Sequence, residues 1–134
     1  MGIDFPPTVL VSEQECEIES WGDPESDGVR WRTLISADRT PTEALTAGIV
    51  ELVPGKANTF RPHRHEEPEI YHVLSGEGTL LAAGKKHPLG KGTTAFIPGN
   101  QEHAVTNDGS APLRIFYVFP TGSFSDVQYE FIDR

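Results

Sequence analysis

The sequence predicts an all-β protein whose short strands form an antiparallel sandwich or a small barrel. Long amphipathic helical patterns are missing from its 134 residues. Instead, short runs of β-branched and aromatic residues recur along the chain, and Gly, Pro, Asn and Asp separate them. Strands this short and evenly spaced are typical of sandwiches and barrels. The length suits one domain with a single core.

Eight strands are predicted with the clearest strand chemistry. In chain order they are residues 29–35, 45–53, 70–74, 78–82, 93–97, 103–106, 113–119 and 127–132. The first forty residues are less regular, and we expect residues 1–40 to form an arm that packs on a barrel of residues 41–134, within one structural domain. Inside this arm, residues 8–11 and 16–18 are predicted as edge strands against the barrel or a second subunit. The stretch AAGKKHPLGKG at 82–92 is predicted as a loop between two of these strands.

Composition excludes several classes of partner and site. The chain has 11 basic and 20 acidic residues, and its net charge of -9 repels phosphate backbones and anionic membranes. Cys16 is the only cysteine, so an intramolecular disulfide and a thiolate metal cluster are both excluded. The sequence begins without a signal-peptide pattern and contains no apolar run of about 20 residues. We therefore expect a soluble, cytoplasmic protein that acts on a small molecule.

The stretch HRHEEPEIYHVLSG at 63–76 carries the candidate metal ligands. Side chains alternate along a strand, so His63 and His65 point to one face, about 6.6 Å apart along the chain. Glu69 and Tyr71 share a second face by the same rule. Two imidazoles and a carboxylate can supply three metal ligands, and His103 after the turn IPGNQE is a fourth candidate.

A simpler interpretation of the same residues is a charged surface. A lone His-x-His pair on a strand is more often an exposed polar face than a metal site. Glu66, Glu67 and Glu69 would usually form a solvated acidic turn. His72 alternates away from Tyr71 and is predicted at the surface, as is His87 in its loop beside a proline. The choice between surface and site depends on the wider pattern.

That wider pattern resembles the two motifs of the cupin family. Gly55 with residues 63–76 is similar to the first motif, and GTTAFIPGNQEHAVTN at 92–107 is similar to the second. Asn100 stands where the second motif usually has glycine, but Asn tolerates a left-handed backbone. Two extra residues separate Gly55 from His63. The resemblance implies a double-stranded β-helix, a small jelly-roll barrel.

The cupin resemblance also implies a metal ion. The family's ligand set falls on His63, His65, Glu69 and His103, so we expect one divalent transition metal per chain. Three imidazoles and a carboxylate accept Fe(II), Mn(II), Ni(II), Co(II) and Zn(II), and the sequence does not choose among them. Cupins of this size are commonly dimers, which implies a homodimer here.

A closer resemblance covers most of the chain. Four segments are similar to the single-domain cupin lyases that cleave dimethylsulfoniopropionate: residues 28–38, 69–78, 97–109 and 116–129. In that family tyrosines carry the proton chemistry, and Tyr71 and Tyr129 fall at the matching positions. The implied reaction is a β-elimination in which the metal acts as a Lewis acid on the substrate carboxylate and Tyr71 takes the α-proton. The cationic sulfonium would be held by aromatic faces, for which Tyr117, Phe119 and Trp31 are candidates.

Two other functions fit the same ligand set. An Fe(II) dioxygenase acting on a small diketone or organic acid would also need an open metal position. A non-enzymatic cupin that binds a sugar or small acid would use the metal structurally. Tyr71 separates these alternatives, because a lyase needs its hydroxyl and a binding protein does not.

Overall fold

A computed structural model of the protein describes residues 5–22, 28–55 and 58–132. Ten β-strands and two short 3-10 helices make up its regular structure. The strands are β1 (Val29–Ile35), β2 (Thr46–Leu52), β3 (Thr59–Arg64), β4 (Glu69–Ser75), β5 (Gly78–Ala82), β6 (Lys85–Leu89), β7 (Thr94–Ile97), β8 (His103–Asn107), β9 (Leu113–Phe119) and β10 (Glu130–Phe131). The 3-10 helices span Glu13–Glu15 and Phe124–Asp126. No helix in the described ranges is long and apolar enough to cross a membrane.

The strands form two five-stranded sheets that face each other around one core. Sheet A has the strand order β1-β2-β9-β4-β7, and sheet B has the order β10-β3-β8-β5-β6. Every strand pair is antiparallel. The predicted all-β class is therefore confirmed.

Strand β9 shows how the sequence forms this core. Leu113, Ile115, Tyr117 and Phe119 are buried, and the residues between them are only partly covered. This alternation follows from the two-residue period of a strand, with one face turned to the opposite sheet. Burying each of these side chains contributes about 1.5–3 kcal/mol to folding.

The N-terminal segment, residues 5–22, lies against sheet A without forming the predicted edge strands. Residues 8–11 and 16–18 have no strand structure, so that prediction is wrong. Only the Glu19–Trp31 bridge pairs this segment with β1. Side-chain contacts attach the earlier part of this segment to sheet A. Arg32 donates to the Glu13 carbonyl oxygen at 2.6 Å, and Arg114 lies 2.8 Å from the Glu13 carboxylate. The apolar residues at 8–11 favour a strand, but no strand of the barrel pairs with them.

The prediction of a single loop at 82–92 is wrong, because this stretch contains strand β6. His87 lies on this strand, paired with Leu80 of β5. Ala83 and Gly84 form the hairpin turn with φ of 51° and 74°. Pro88 lacks an N–H, but β6 is the last strand of sheet B, where a missing donor is tolerated.

Two further strands differ from the predictions: one was not predicted, and one is shorter than predicted. Strand β3 is absent from the predicted strands because its Pro62 reads as a break. Strand β10 covers only Glu130–Phe131 instead of residues 127–132. Residues 127–129, at the start of the predicted strand, follow the 3-10 helix Phe124–Asp126 and have no strand structure.

Candidate active site

Three histidines converge between the two sheets. His63 on β3 and His103 on β8 are direct partners across the antiparallel pair, and their ring centroids are 4.2 Å apart. His65 follows β3 by one residue. One nitrogen from each of the three rings lies within 4.8 Å of the others, and all three residues are buried.

Backbone carbonyl oxygens orient the three rings in the same way. His63 Nδ1 is 2.8 Å from the Arg61 oxygen, His65 Nδ1 is 2.9 Å from the Glu67 oxygen, and His103 Nδ1 is 2.8 Å from the Gln101 oxygen. A carbonyl only accepts, so each Nδ1 carries the hydrogen and donates it. Each Nε2 therefore keeps a free lone pair, which is the form that ligates a metal.

Glu69 brings a carboxylate to the same place from the opposite sheet. It is the first residue of β4, and it is 3% exposed. Its Oε1 lies 3.2 Å from His65 Nε2 and 3.5 Å from His103 Nε2. None of these three atoms has a hydrogen-bond partner, so the approach is close without being a hydrogen bond.

A turn between β7 and β8 sets the position of His103. Asn100 adopts φ of 64°, the left-handed conformation that the sequence predicts for it. Its backbone N–H donates to the His65 carbonyl oxygen at 2.7 Å. The turn thus connects the segment that carries His65 with the strand that carries His103.

The pKa directions of two histidines reflect this packing. Burial, with the nearby His103, lowers the pKa of His63 to about 3, so this imidazole is neutral at ordinary pH. Burial also opposes the charged form of His65, but Glu69 and Glu67 together outweigh it and the pKa of His65 is raised. The site therefore combines a neutral imidazole with one that has a negative neighbour.

These donors fit a divalent transition metal. His63 Nε2, His65 Nε2, His103 Nε2 and Glu69 Oε1 are all buried and all lack a hydrogen-bond partner. Buried polar atoms without partners are rare and costly, and a cation would satisfy all four. Nitrogen with one carboxylate oxygen is a donor set for first-row metals, which does not select one of them.

A small cavity adjoins the histidines and holds every tyrosine of the chain. Its lining residues are mostly aromatic: Trp21, Trp31, Val50, Phe60, Glu69, Tyr71, Tyr117, Phe124 and Tyr129. The cavity volume is about 10 Å³. That is room for about one water molecule. In this conformation the space between these side chains therefore has no room for a larger molecule.

The tyrosines differ in exposure. Tyr71 and Tyr117 are 2% exposed, whereas Tyr129 is half-buried. Burial, followed by the negative charge of Glu69, raises the pKa of all three hydroxyls. The hydroxyl oxygen of Tyr117 has no hydrogen-bond partner, and neither has Trp31 Nε1. The cavity thus offers unused polar atoms to a ligand.

Most of the predicted site residues meet at this cavity. Tyr71, Tyr129, Tyr117 and Trp31 line it, and their catalytic and binding roles stay predictions. Phe119 does not line it. Its fully buried ring packs edge-on against the ring of His65, and the two ring centroids are 5.1 Å apart.

The surface assignments hold for two of the three residues near the motif. His72 turns away from the core and bonds to Thr94 Oγ1 at 2.7 Å, as predicted. Glu66 is exposed, also as predicted. Glu67 is half-buried with a buried Oε1, because its backbone turns inward to hold His65.

Sequence reasoning missed Trp21 and Phe124 as lining residues. Both lie outside the strands, and they contact residues that are distant in the sequence. The ring centroids of Trp21 and Tyr129 are 5.0 Å apart, and those of Phe124 and Trp31 are 5.5 Å apart. The available signal was the large indole of Trp21 in an otherwise polar stretch, since such residues usually have a partner.

Comparison with known proteins assigns the fold to a family. Residues 48–119 match the model of the cupin domain. The chain belongs to the cupin family. The matched residues include all four candidate ligands of this cupin and its Tyr71. They end at Phe119, so Trp21 and Tyr129 lie outside the matched domain.

Relatives of this cupin extend the likeness to the whole chain. It is 36% identical to the dimethylsulfoniopropionate lyase DddW of Ruegeria pomeroyi over 129 residues, covering 96% of this chain and 82% of the relative. A predicted oxalate decarboxylase from Thermotoga maritima has a similar structure, with a TM-score of 0.71 and 26% identity over 84% of this chain and 99% of its own. The polyketide cyclase RemF of Streptomyces resistomycificus shares the fold, with a TM-score of 0.78 and 21% identity over 96% of this chain and 87% of its own.

Proposed function

We propose that this cupin is a metal-dependent lyase that cleaves dimethylsulfoniopropionate to dimethyl sulfide and acrylate. The observation that carries the proposal is the 36% identity with the DddW lyase over 96% of the chain. A likeness restricted to the barrel would support only the fold, because one fold hosts many functions. This likeness includes the N-terminal segment and the C-terminal aromatics as well.

The proposed metal ligands are His63, His65, Glu69 and His103. The four partnerless buried atoms support this assignment. A divalent ion bound there would supply a Lewis acid for the substrate carboxylate and would favour negative charge on nearby oxygens. The proposed reaction requires no redox change, so the proposal does not depend on which metal is bound.

Tyr71 is the proposed base of a β-elimination. Burial and the charge of Glu69 raise the pKa of its hydroxyl, and a divalent ion bound beside it would favour the phenolate instead. The phenolate oxygen would then accept the proton from the carbon next to the substrate carboxylate, forming a new O–H bond. The electrons of that C–H bond form the C=C bond of acrylate, and the C–S bond breaks with its electron pair leaving on dimethyl sulfide. Tyr71 lies in the cavity two residues from Glu69, which supports this role.

Other aromatic residues are proposed to hold the substrate. Tyr129 lies 5.2 Å and 5.1 Å from the rings of His63 and His65, close enough to assist Tyr71 or bind the carboxylate. The faces of Trp31 and Tyr117 would attract the cationic sulfonium through cation–π interaction. Their location in the lining supports this assignment.

The test of the proposal is an anaerobic assay with purified, metal-loaded protein and dimethylsulfoniopropionate. We expect dimethyl sulfide and acrylate in equal amounts without oxygen. Tyr71→Phe should lower kcat by at least about 10²-fold, the lower range for loss of a general base, while the bound metal is unchanged by elemental analysis. Turnover in Tyr71→Phe equal to the parent protein would refute the role of Tyr71.

Histidine variants separate ligands from surface residues in the same assay. His103→Ala should lose both metal and activity. His72→Ala is the matched control, because His72 lies outside the cavity and bonds to Thr94. Loss of metal in both variants, or in neither, would contradict the ligand assignment.

A second candidate is a metal enzyme acting on another small organic acid, including the dioxygenase alternative. The similarity to the predicted oxalate decarboxylase favours it. Turnover that depends on oxygen, or release of carbon dioxide from oxalate, with no dimethyl sulfide formed, would support this candidate and exclude the lyase.

A further inference from the structure

The cavity is too small for any substrate of several heavy atoms. With about 10 Å³ it holds about one water molecule. A small carboxylate can reach the tyrosines only after part of the lining has moved. The lining residues differ in their ability to move, and that difference points to the entrance.

Six of the nine lining residues lie on strands of the two sheets and are nearly inaccessible. They are Trp31, Val50, Phe60, Glu69, Tyr71 and Tyr117, each at most 6% exposed. Because neighbouring atoms enclose them, these side chains have little free space into which they could turn. The other three lining residues lie outside the strands. These three, Trp21, Phe124 and Tyr129, form the outer wall of the cavity.

Within this outer wall, Trp21 is the side chain most open to solvent. It is 40% exposed, yet one side of its indole packs on Trp31 at 4.6 Å and on Phe60 at 5.3 Å. It also contacts Tyr129 at 5.0 Å and Phe131 at 5.6 Å. Trp21 therefore touches both solvent and the deep lining.

The backbone next to Trp21 is anchored to β1 through Glu19, whose carboxylate accepts from Thr33 Oγ1 at 2.7 Å, so the indole is the part of Trp21 that can move. Two hydrogen bonds between Glu19 and Trp31 are the backbone bonds that join residues 5–22 to a sheet. The Ser20 hydroxyl donates to the Gly22 carbonyl oxygen at 3.1 Å, which holds the turn locally but not to the barrel. An indole swings on two side-chain torsions, so it can leave the cavity while β1 stays paired.

We propose that Trp21 closes the cavity and sets the largest substrate that the site admits. This inference rests on the proposed function for the identity of the substrate, but the closure itself does not depend on it. Trp21 is a specificity-determining residue that covers Trp31 when the cavity is closed.

The two tryptophans provide a direct test of closure without metal or substrate. The chain contains only Trp21 and Trp31, so Trp31 is the sole fluorophore of this type in any Trp21 variant. We compare acrylamide quenching in Trp21→Ala and in Trp21→Phe, which retains an aromatic cover. The Stern–Volmer constant should be higher in Trp21→Ala, because an aromatic ring at residue 21 covers on the order of 150–250 Å² that alanine leaves open.

A variant of intermediate size protects this test against misfolding. Far-UV circular dichroism checks that each variant is folded. If Trp21→Ala does not fold, Trp21→Leu takes its place and should again be quenched more than Trp21→Phe. Equal quenching in the folded variants overturns the proposal, because Trp31 would then be covered by something other than residue 21.

The substrate limit is tested with sulfonium homologues whose methyl groups are replaced by longer alkyl groups. Relative to dimethylsulfoniopropionate, kcat/KM for a larger homologue should rise roughly tenfold in Trp21→Ala, which is the low end for one added methylene in a pocket. The rise should be smaller in Trp21→Phe. An unchanged ratio refutes the specificity role. Absence of lyase activity in the parent protein refutes the proposed function instead, and the quenching comparison still decides closure.

Discussion

At the scale of single residues, Gly48 makes room for a cavity tyrosine. It lies on β2 opposite Tyr117 of β9 and Thr33 of β1. A β-carbon at this position would be 2.6 Å from the Arg32 carbonyl oxygen and 2.7 Å from Tyr117 Cζ, and it would also meet the tyrosine hydroxyl. The glycine therefore allows Tyr117 to lie across β2.

We predict that Gly48→Ala destabilises the protein by about 1–3 kcal/mol, the usual range for overpacking a filled core. Urea unfolding measures this change. Gly90→Ala is the matched control, since a β-carbon there meets no atom within 4 Å. If both variants unfold at the same urea concentration, the close approach of Tyr117 does not require glycine at residue 48.

At the scale of elements, the turn between β7 and β8 connects stability with the metal site. Asn100 holds its left-handed backbone in this turn and bonds to the segment of His65. We predict that Asn100→Gly folds with little loss, whereas Asn100→Val costs about 1–2 kcal/mol, because a branched side chain clashes in this conformation.

The same pair of variants tests the connection to the ligands. Zinc titration followed by calorimetry should give weaker binding for Asn100→Val than for Asn100→Gly, because the turn positions His103. Equal zinc affinity in the two variants would show that β8 keeps its place without the turn.

Elements with a strong local pattern are predictable from the sequence, and those formed by distant pairing are not. The alternation in β9 and the spacing of the motif histidines correctly indicate buried strands and the convergence of His63, His65 and His103. Strand β6 is missed because two lysines and a proline resemble a loop, and only its pairing with β5 makes it a strand.

The candidate site shows the same division. The candidate ligands and Tyr71 lie in one short stretch and after one turn, so the sequence motif is enough to propose them. Trp21 meets Tyr129 and Phe131 across more than a hundred residues, and no local signal gives that contact. The position of Trp21 in the outer wall therefore becomes visible only in the folded structure.

At the scale of the whole molecule, the metal is expected to stabilise the fold. The buried donors have no partner without it, so a metal binds the folded chain better than the unfolded one. We predict that zinc at about 100 times its dissociation constant raises the free energy of unfolding by about 2.7 kcal/mol. Denaturant unfolding with zinc and with a chelator measures the difference.

The control for this effect is again a pair of histidines. His72→Ala should keep the stabilisation by zinc, and His103→Ala should lose most of it. Equal stabilisation of both variants would mean that zinc binds elsewhere. The homodimer expected from the family resemblance remains a prediction.

Strand β6 is an edge strand of sheet B, and β5 is its neighbour on one side. An open edge of this kind can recruit the edge of another molecule and start aggregation. Lys85 and Lys86 repel such a neighbour, and Pro88 interrupts the row of donors that it would need.

We predict that replacing Pro88 by Val and both lysines by Thr leaves zinc binding intact but promotes self-association. Light scattering at rising protein concentration should detect it, with the parent chain as control. Scattering no higher than that of the parent would assign protection to another feature. Higher scattering in the variant would mean that the residues which make β6 resemble a loop also keep this protein from polymerising along its own sheet.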